Sequence, residues 1–229
     1  MEGIPEAPAP AEPPAPPPPP DAYPVTLTVD YPDRDLDRLT SFFRIFTVIP
    51  IAIVLGALSG FSTGSWGDAA DTGTTVVVSG VGLLFLAPLL MILFREKYPR
   101  WWFDWNLQLQ RFVTRVGAYF LLMDDRYPST DEEQYVHLDF PYPDVQADLS
   151  RGMPLVKWFL AIPHYIVLFF LHIGLFFVAI FAWFAILFTG RYPRGAFEYV
   201  EGVLRWDNRV LGYAFILVTD RYPPFRLRP

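Results

Sequence analysis

The chain has 229 residues, of which 52% are hydrophobic and 18% are charged, and its mean hydropathy is +0.26. A soluble domain carries roughly a quarter of charged residues, so the deficit favours a protein that contacts lipid. The net charge of −6 excludes nucleic acid as the natural partner, because phosphate binding needs a basic surface. The chain has no cysteine, which excludes a disulfide-stapled fold and a thiolate metal site.

The first segment of the chain is rich in proline. Residues 1–24 contain eleven prolines and no basic residue, and Pro16–Pro20 is unbroken. Such a stretch has no apolar set to bury and few backbone donors, so it favours an extended, solvated conformation. We assign residues 1–22 to a disordered tail. A spacer is favoured over a polyproline ligand for a partner.

Three apolar runs follow the tail, namely Phe42–Gly60, Thr75–Phe94 and Leu155–Thr189. A helix needs about 20 apolar residues to cross the hydrocarbon, so each of the first two runs predicts one span. The third run is too long for one span and predicts two short ones, with a reversal near His172-Ile173-Gly174. The predicted fold is therefore an α-helical integral membrane protein with four transmembrane helices.

Basic residues are distributed asymmetrically between the predicted loops. The segment 61–74 and the predicted turn at Gly174 contain no lysine or arginine, and all 18 basic residues lie elsewhere. The positive-inside rule then predicts that both termini and the central segment are cytoplasmic. A reporter at residue 68 is expected on the opposite side.

The sequence also repeats itself. Phe94–Arg100 recurs as Phe188–Arg194 and Asp125–Pro128 recurs as Asp220–Pro223, with offsets of 94 and 95. Arg44 matches Lys157. These offsets predict two tandem membrane repeats, at 23–130 and 131–229, each with two spans, an interfacial helix and strands.

Each predicted repeat contains a small cytoplasmic layer. Val25–Val29 and Val136–Phe140 alternate apolar and polar residues, as a half-buried strand does. Two amphipathic helices carry the polar faces Asp104, Gln108, Arg111, Arg115 and Glu198, Gly202, Arg205, Arg209. We expect these helices to lie along the inner membrane surface, followed by short strands at Tyr119–Met123 and Tyr213–Val218.

A basic residue followed by Tyr-Pro occurs four times. Proline ends a helix or strand, tyrosine favours the head-group layer, and the basic side chain can reach a lipid phosphate. The motif is interpreted as an interfacial anchor or, more specifically, as an anionic-lipid site. The candidate head-group contacts are Lys97, Tyr98, Arg126, Tyr127, Arg191, Tyr192, Arg221 and Tyr222.

The doubled motif, the Ile-Pro pairs at Ile49-Pro50 and Ile162-Pro163, and the ending Thr219–Phe225 resemble a known family. It is the uncharacterised bacterial membrane family numbered four-three-eight-nine among the domains of unknown function. The resemblance covers about residues 23–225 as two copies and implies a multi-pass protein of the bacterial inner membrane. It implies no activity and no catalytic residues.

The sequence predicts no catalytic, cofactor-binding or metal-binding residues, since no reactive constellation or phosphate loop is present. We expect a non-enzymatic, lipid-interacting scaffold or regulatory subunit; the alternative is a small oligomeric transporter or channel. Expected partners are membrane lipids, together with a second copy of the chain or another membrane protein.

Overall fold

The computed structural model describes residues 23–58, 80–130 and 132–229. This part of the chain is mostly helical and contains a sheet of two strands. The proline-rich tail at 1–22 and the predicted outer loop at 61–74 lie outside the described residues. The assignment of residue 68 to the far side is therefore not addressed by the fold.

The two strands predicted from alternation are confirmed. Strand β1 is Thr26–Val29 and strand β2 is Val136–Asp139, and they pair antiparallel with Leu27 opposite Leu138. Alternate residues of each strand are buried, so apolar side chains face the core and polar ones face away.

Between the strands lie α1 (Arg38–Phe42), α2 (Arg44–Leu58), α3 (Gly80–Arg95) and α4 (Arg100–Phe120). After β2 come α5 (Val145–Asp148), α6 (Met153–Leu160), α7 (Ile162–Thr189) and α8 (Arg194–Leu211), and α8 continues into a π-helical turn at Gly212–Ile216. Proline precedes both α4 and α8, where its fixed φ angle suits the start of a helix.

The prediction of four transmembrane helices is wrong. Within the described ranges one helical stretch, Met153–Thr189, is long and apolar enough to cross a membrane. The first two predicted spans correspond to α2 and α3, whose apolar parts are Arg44–Gly56 and Leu86–Arg95. These parts are shorter than the roughly 20 residues that a crossing needs.

The predicted reversal at His172–Gly174 is also wrong, because α7 continues through it for 28 residues. A helix of this length measures about 42 Å. Gly174 is required by packing rather than by a turn: a Cβ atom there would lie 2.5 Å from the hydroxyl of Tyr199 in α8. A lone glycine in an apolar, helix-forming sequence does not stop the helix.

The short strands predicted at Tyr119–Met123 and Tyr213–Val218 are absent from the described structure. Tyr119 belongs to α4 and Tyr213 to the π-helical turn. The chain leaves each helix through a leucine with positive φ, Leu122 (66°) and Leu217 (63°). The N–H groups that follow these leucines donate to carbonyls of the preceding helical turn, Met123 to Ala118 and Val218 to Gly212, instead of to a neighbouring strand.

The amphipathic helices α4 and α8 are confirmed as helices, and an arginine on the polar face of each contacts the sheet. Arg111 donates from Nε to the Leu138 carbonyl at 2.8 Å, and Arg205 donates from Nε to the Leu27 carbonyl at 2.8 Å. The polar faces thus bind the backbone of the sheet. Helix α8 contacts both α7 and β1, and its expected position at the membrane surface stays a prediction.

Candidate functional site

Helix α7 presents two different faces. A narrow stripe of residues at helical spacing is buried, namely His164, Leu168, Leu175, Ala182 and Ile186. The opposite side exposes a continuous row of phenylalanine and isoleucine, within which Phe169, Phe176 and Phe177 are 62%, 62% and 64% exposed. An exposed apolar surface of this extent marks an interaction site for lipid or protein.

The buried stripe of α7 packs against α8, which runs antiparallel to it. Tyr199 donates its hydroxyl hydrogen to the Leu171 carbonyl at 2.9 Å, and Trp206 donates from Nε1 to Nδ1 of His164 at 3.0 Å. Between these contacts, Asp207 lies 3.2 Å from Nε2 of His172. Burial raises the pKa of Asp207 to about 6, and the attraction of His172 opposes this rise.

Two cations are buried at the base of the apolar helices. Arg44, which is 2% exposed, donates from Nη1 to the Asp124 carbonyl at 3.0 Å. Lys157, which is fully buried, donates to the Thr219 carbonyl at 2.8 Å and lies 2.7 Å from Oδ1 of Asp220. Each cation therefore ties the start of an apolar helix to the loop that carries a basic-Tyr-Pro motif.

Two of the four motif tyrosines are buried inside the fold. Tyr98 donates its hydroxyl hydrogen to the Ile216 carbonyl at 2.9 Å, and Tyr192 donates to the Leu121 carbonyl at 3.2 Å. Both tyrosines are almost inaccessible to solvent. Their hydroxyls therefore form hydrogen bonds inside the fold, and the head-group role assigned to these two tyrosines stays a prediction.

The other two motif tyrosines, Tyr127 and Tyr222, are about half exposed. Tyr222 also donates its hydroxyl hydrogen to the Leu160 carbonyl at 3.0 Å, which positions its ring at the end of α6. Tyr127 packs edge-on against Tyr119. These two rings have the mixed apolar and polar surroundings that tyrosine has at a membrane interface.

The basic residues of the motifs are all exposed, but two of them form ion pairs. Arg126 contacts Asp124 at 2.9 Å and Arg191 contacts Asp35 at 2.9 Å. Lys97 and Arg221 are exposed without an ion pair to any described residue. Of the four candidate head-group cations, these two can bind a phosphate without breaking an ion pair to a described residue.

Sequence patterns did not indicate Arg34 as part of this region. Its guanidinium group contacts both Asp124, at 2.9 Å, and Asp125. Burial by itself raises the pKa of Asp125, but hydrogen bonds from Arg34 and from the Asp37 backbone outweigh it and bring that pKa down to about 2. In the sequence, only the adjacent acidic pair Asp124-Asp125 before Arg126 could have indicated that a further cation lies nearby.

Among the described residues, no group of three or more histidine, aspartate or glutamate side chains is arranged to hold a metal ion. Apart from Lys97 and Arg221, the cations described above pair with carboxylates or with backbone carbonyls. The arrangement combines an exposed aromatic helix face with basic-Tyr-Pro loops.

Residues 153–226 match the family model described as "Domain of unknown function (DUF4389)". The matched segment includes α6, α7, α8 and the basic-Tyr-Pro motifs at Arg191 and Arg221. No curated protein and no solved structure matches the chain.

Proposed function

We propose that this chain is a non-enzymatic protein of the bacterial inner membrane that attaches to its cytoplasmic surface and serves there as a lipid-interacting scaffold or regulatory subunit. The observation that carries the proposal is the exposed aromatic face of α7. In water such a face leaves a large apolar area unburied, whereas the boundary between head groups and acyl chains buries it favourably.

We further propose that α7 lies in the plane of the membrane rather than across it. Helix α8 runs beside α7 and carries Arg205 and Arg209, both buried among protein groups. A crossing α7 would bring these charges and the Asp207–His172 pair to the depth of the hydrocarbon, where charge is costly. An in-plane α7 keeps α8 on the aqueous side and also keeps both ends of α7 cytoplasmic.

The exposed cations of the Tyr-Pro loops support the choice of an anionic surface. Lys97 and Arg221 have no ion-pair partner among the described residues, so a lipid phosphate can approach without displacing a carboxylate. Each basic residue near an anionic surface contributes about 1 kcal/mol, and salt weakens the contribution. The half-exposed rings Tyr127 and Tyr222 serve as interfacial anchors in this proposal.

The proposal also retains the two tandem copies, and exchanged hydrogen bonds support it. Tyr98 and Tyr192 are 94 positions apart, and their acceptors Leu121 and Ile216 are 95 apart. Each tyrosine bonds to the acceptor in the other copy. Such reciprocal contacts are what an approximate two-fold axis between two copies produces.

The sheet repeats the same exchange. Arg111 and Arg205 are 94 positions apart, and each donates to the strand of the other copy, at Leu138 and Leu27, at the same distance of 2.8 Å. Because Leu27 and Leu138 face each other in the strand register, the axis passes between β1 and β2. Neither half has a complete sheet alone.

The membrane proposal is tested by flotation with vesicles. Replacing Phe169, Phe176 and Phe177 together by serine removes three exposed rings that contribute about 1 kcal/mol each when half buried, and should weaken partitioning roughly 100-fold. The matched control replaces the same three residues by leucine, which keeps the face apolar and should keep the protein on the vesicles. Equal flotation of the serine and leucine variants would refute the proposal.

A further inference from the structure

A groove of about 500 Å³ lies between the start of α2, the turn after α4 and the second half of α7. Its walls are apolar: Ile45, Phe120, Leu121, Leu122, Leu175, Phe176, Ala179, Ile180, Trp183 and Phe184, and it also contacts Arg44 and His172. Its volume falls within the range of about 300 to 1,000 Å³ that small-molecule sites occupy. Phe176, Ile180 and Phe184 also belong to the exposed face of α7, so the groove opens where the membrane is proposed to lie.

Arg44 lines this groove and forms no ion pair with any described residue. Of the three guanidinium nitrogens of Arg44, Nη1 donates to the Asp124 carbonyl, whereas Nε and Nη2 are buried and have no described acceptor at hydrogen-bonding geometry. The group also rests over the ring of Tyr119 at 3.9 Å. Leaving a buried charge with unused donors costs free energy, which a bound anion would recover.

We infer that this groove binds one acyl chain of an anionic membrane phospholipid, with its phosphate bound by Arg44. The inference rests on the proposed function, because the bilayer supplies the occupant through the exposed side of α7. The apolar walls suit the chain, and the guanidinium group offers the forked donors that bind phosphate. A zwitterionic lipid fits the apolar walls equally well, but its ammonium group opposes the charge of Arg44.

The test uses the full chain purified in mild detergent and native mass spectrometry with added phosphatidylglycerol or phosphatidylcholine. We expect wild-type protein to retain phosphatidylglycerol at least about tenfold better, the factor for one charge-assisted hydrogen bond. Ala179→Trp fills the groove and should abolish that retention. Ala185→Trp adds the same ring to α7 outside the groove lining and should leave it unchanged.

Arg44→Gln tests the head-group contact separately. This variant should retain the two lipids equally, because the apolar walls remain while the charge is gone. Retention of phosphatidylglycerol at the wild-type level by Ala179→Trp, or an unchanged lipid preference in Arg44→Gln, would overturn the inference. If Arg44→Gln does not fold, Ala179→Trp and its control still decide.

Failure of the inference can be distinguished from failure of the proposed function. Flotation of the wild-type protein and of Ala179→Trp with vesicles measures the aromatic face of α7 and does not require the groove. Flotation of both, combined with unchanged lipid retention by Ala179→Trp, refutes the groove alone. If the wild-type protein does not float with vesicles, the proposed function is refuted. The detergent experiment still measures lipid binding in the groove in that case.

Discussion

Replacing Lys157 by methionine should strongly destabilise the protein, although the position lies in the most apolar part of the sequence. Lys157 is one of two lysines in the chain and is fully buried. Its ammonium group lies 2.7 Å from Asp220 and donates to the Thr219 carbonyl at 2.8 Å. Methionine keeps a flexible apolar stem of similar length but removes both contacts.

The size of the effect follows from what is left behind. The Asp220 carboxylate, mostly buried, loses its cation and keeps, among the described residues, only the Ser150 N–H as a donor, and the Thr219 carbonyl loses the Lys157 ammonium. Removing one partner of a buried ion pair costs about 3 to 5 kcal/mol. In a chain of this length each kcal/mol lowers the melting temperature by about 2 to 4 °C, so a fall of roughly 6 to 20 °C is expected.

The assay is a thermal melt in detergent, followed by circular dichroism. Lys97→Met is the matched control, because Lys97 is exposed and has no ion pair to a described residue. It should melt within about 2 °C of wild type, as exposed substitutions change stability little. Similar melting temperatures for Lys157→Met and Lys97→Met would refute the role given to the buried lysine.

Four further substitutions, with one control, test separate parts of the fold. Tyr98→Phe and Tyr192→Phe should each cost about 1 to 2 kcal/mol in unfolding measurements, because each leaves a buried carbonyl unpaired, and unequal costs would count against the exchanged contacts. Gly174→Ala should destabilise the protein by about 1 to 3 kcal/mol, because the added Cβ overpacks against α8. Gly195→Ala is the control and should not destabilise it, because a Cβ there meets nothing within 4 Å. Equal melting temperatures for the two variants would contradict the packing. The pKa of Asp125 is lowered from 3.8 in the unfolded chain to about 2 in the fold, so its ion pair stabilises the protein above pH 3.8, and this stabilisation is lost as the pH falls towards 2. Asp125→Asn should therefore cost about 1 kcal/mol near neutral pH and nothing near pH 2. A cost that stays constant across that pH range would refute the ion pair.

The periodicity of apolar residues and the spacing of the repeated motifs predicted much of the fold. Alternation placed both strands within a residue of their observed bounds, and the 3.6-residue period placed α4 and α8. The match between Arg44 and Lys157 pointed to two residues with equivalent contacts, although it did not indicate that either is buried. Sequence matching finds equivalent positions without giving their environment.

Hydropathy misled the prediction of spans for a physical reason. A helix that exposes an aromatic face to lipid and one that crosses the membrane have the same apolar content, so length alone does not separate them. In the proposed arrangement, the packing of α8 against α7 separates the two cases, and that packing is not readable from hydropathy. The short apolar runs at Tyr119–Met123 and Tyr213–Val218 were ambiguous as well, because brief apolar segments have no clear period.

The candidate lipid contacts were visible in the sequence only as a motif. Four identical motifs gave no sign that Tyr98 and Tyr192 are buried while Tyr127 and Tyr222 are exposed. That difference depends on long-range hydrogen bonds from Tyr98 to the Ile216 carbonyl and from Tyr192 to the Leu121 carbonyl, which the motif does not reveal. Arg44 gave no sign of its unpaired nitrogens, which depend on the turn after α4.

The position of α7 in the membrane is tested most directly by depth measurements on single-cysteine variants. The chain has no cysteine, so Ile166→Cys, Phe177→Cys and Phe188→Cys each give one site for a spin label. An in-plane helix predicts similar, shallow depths for all three labels in vesicles of anionic lipid, with both end positions reached by a thiol reagent from one side. A label at Phe177 much deeper than the other two, with the ends reached from opposite sides, would contradict it.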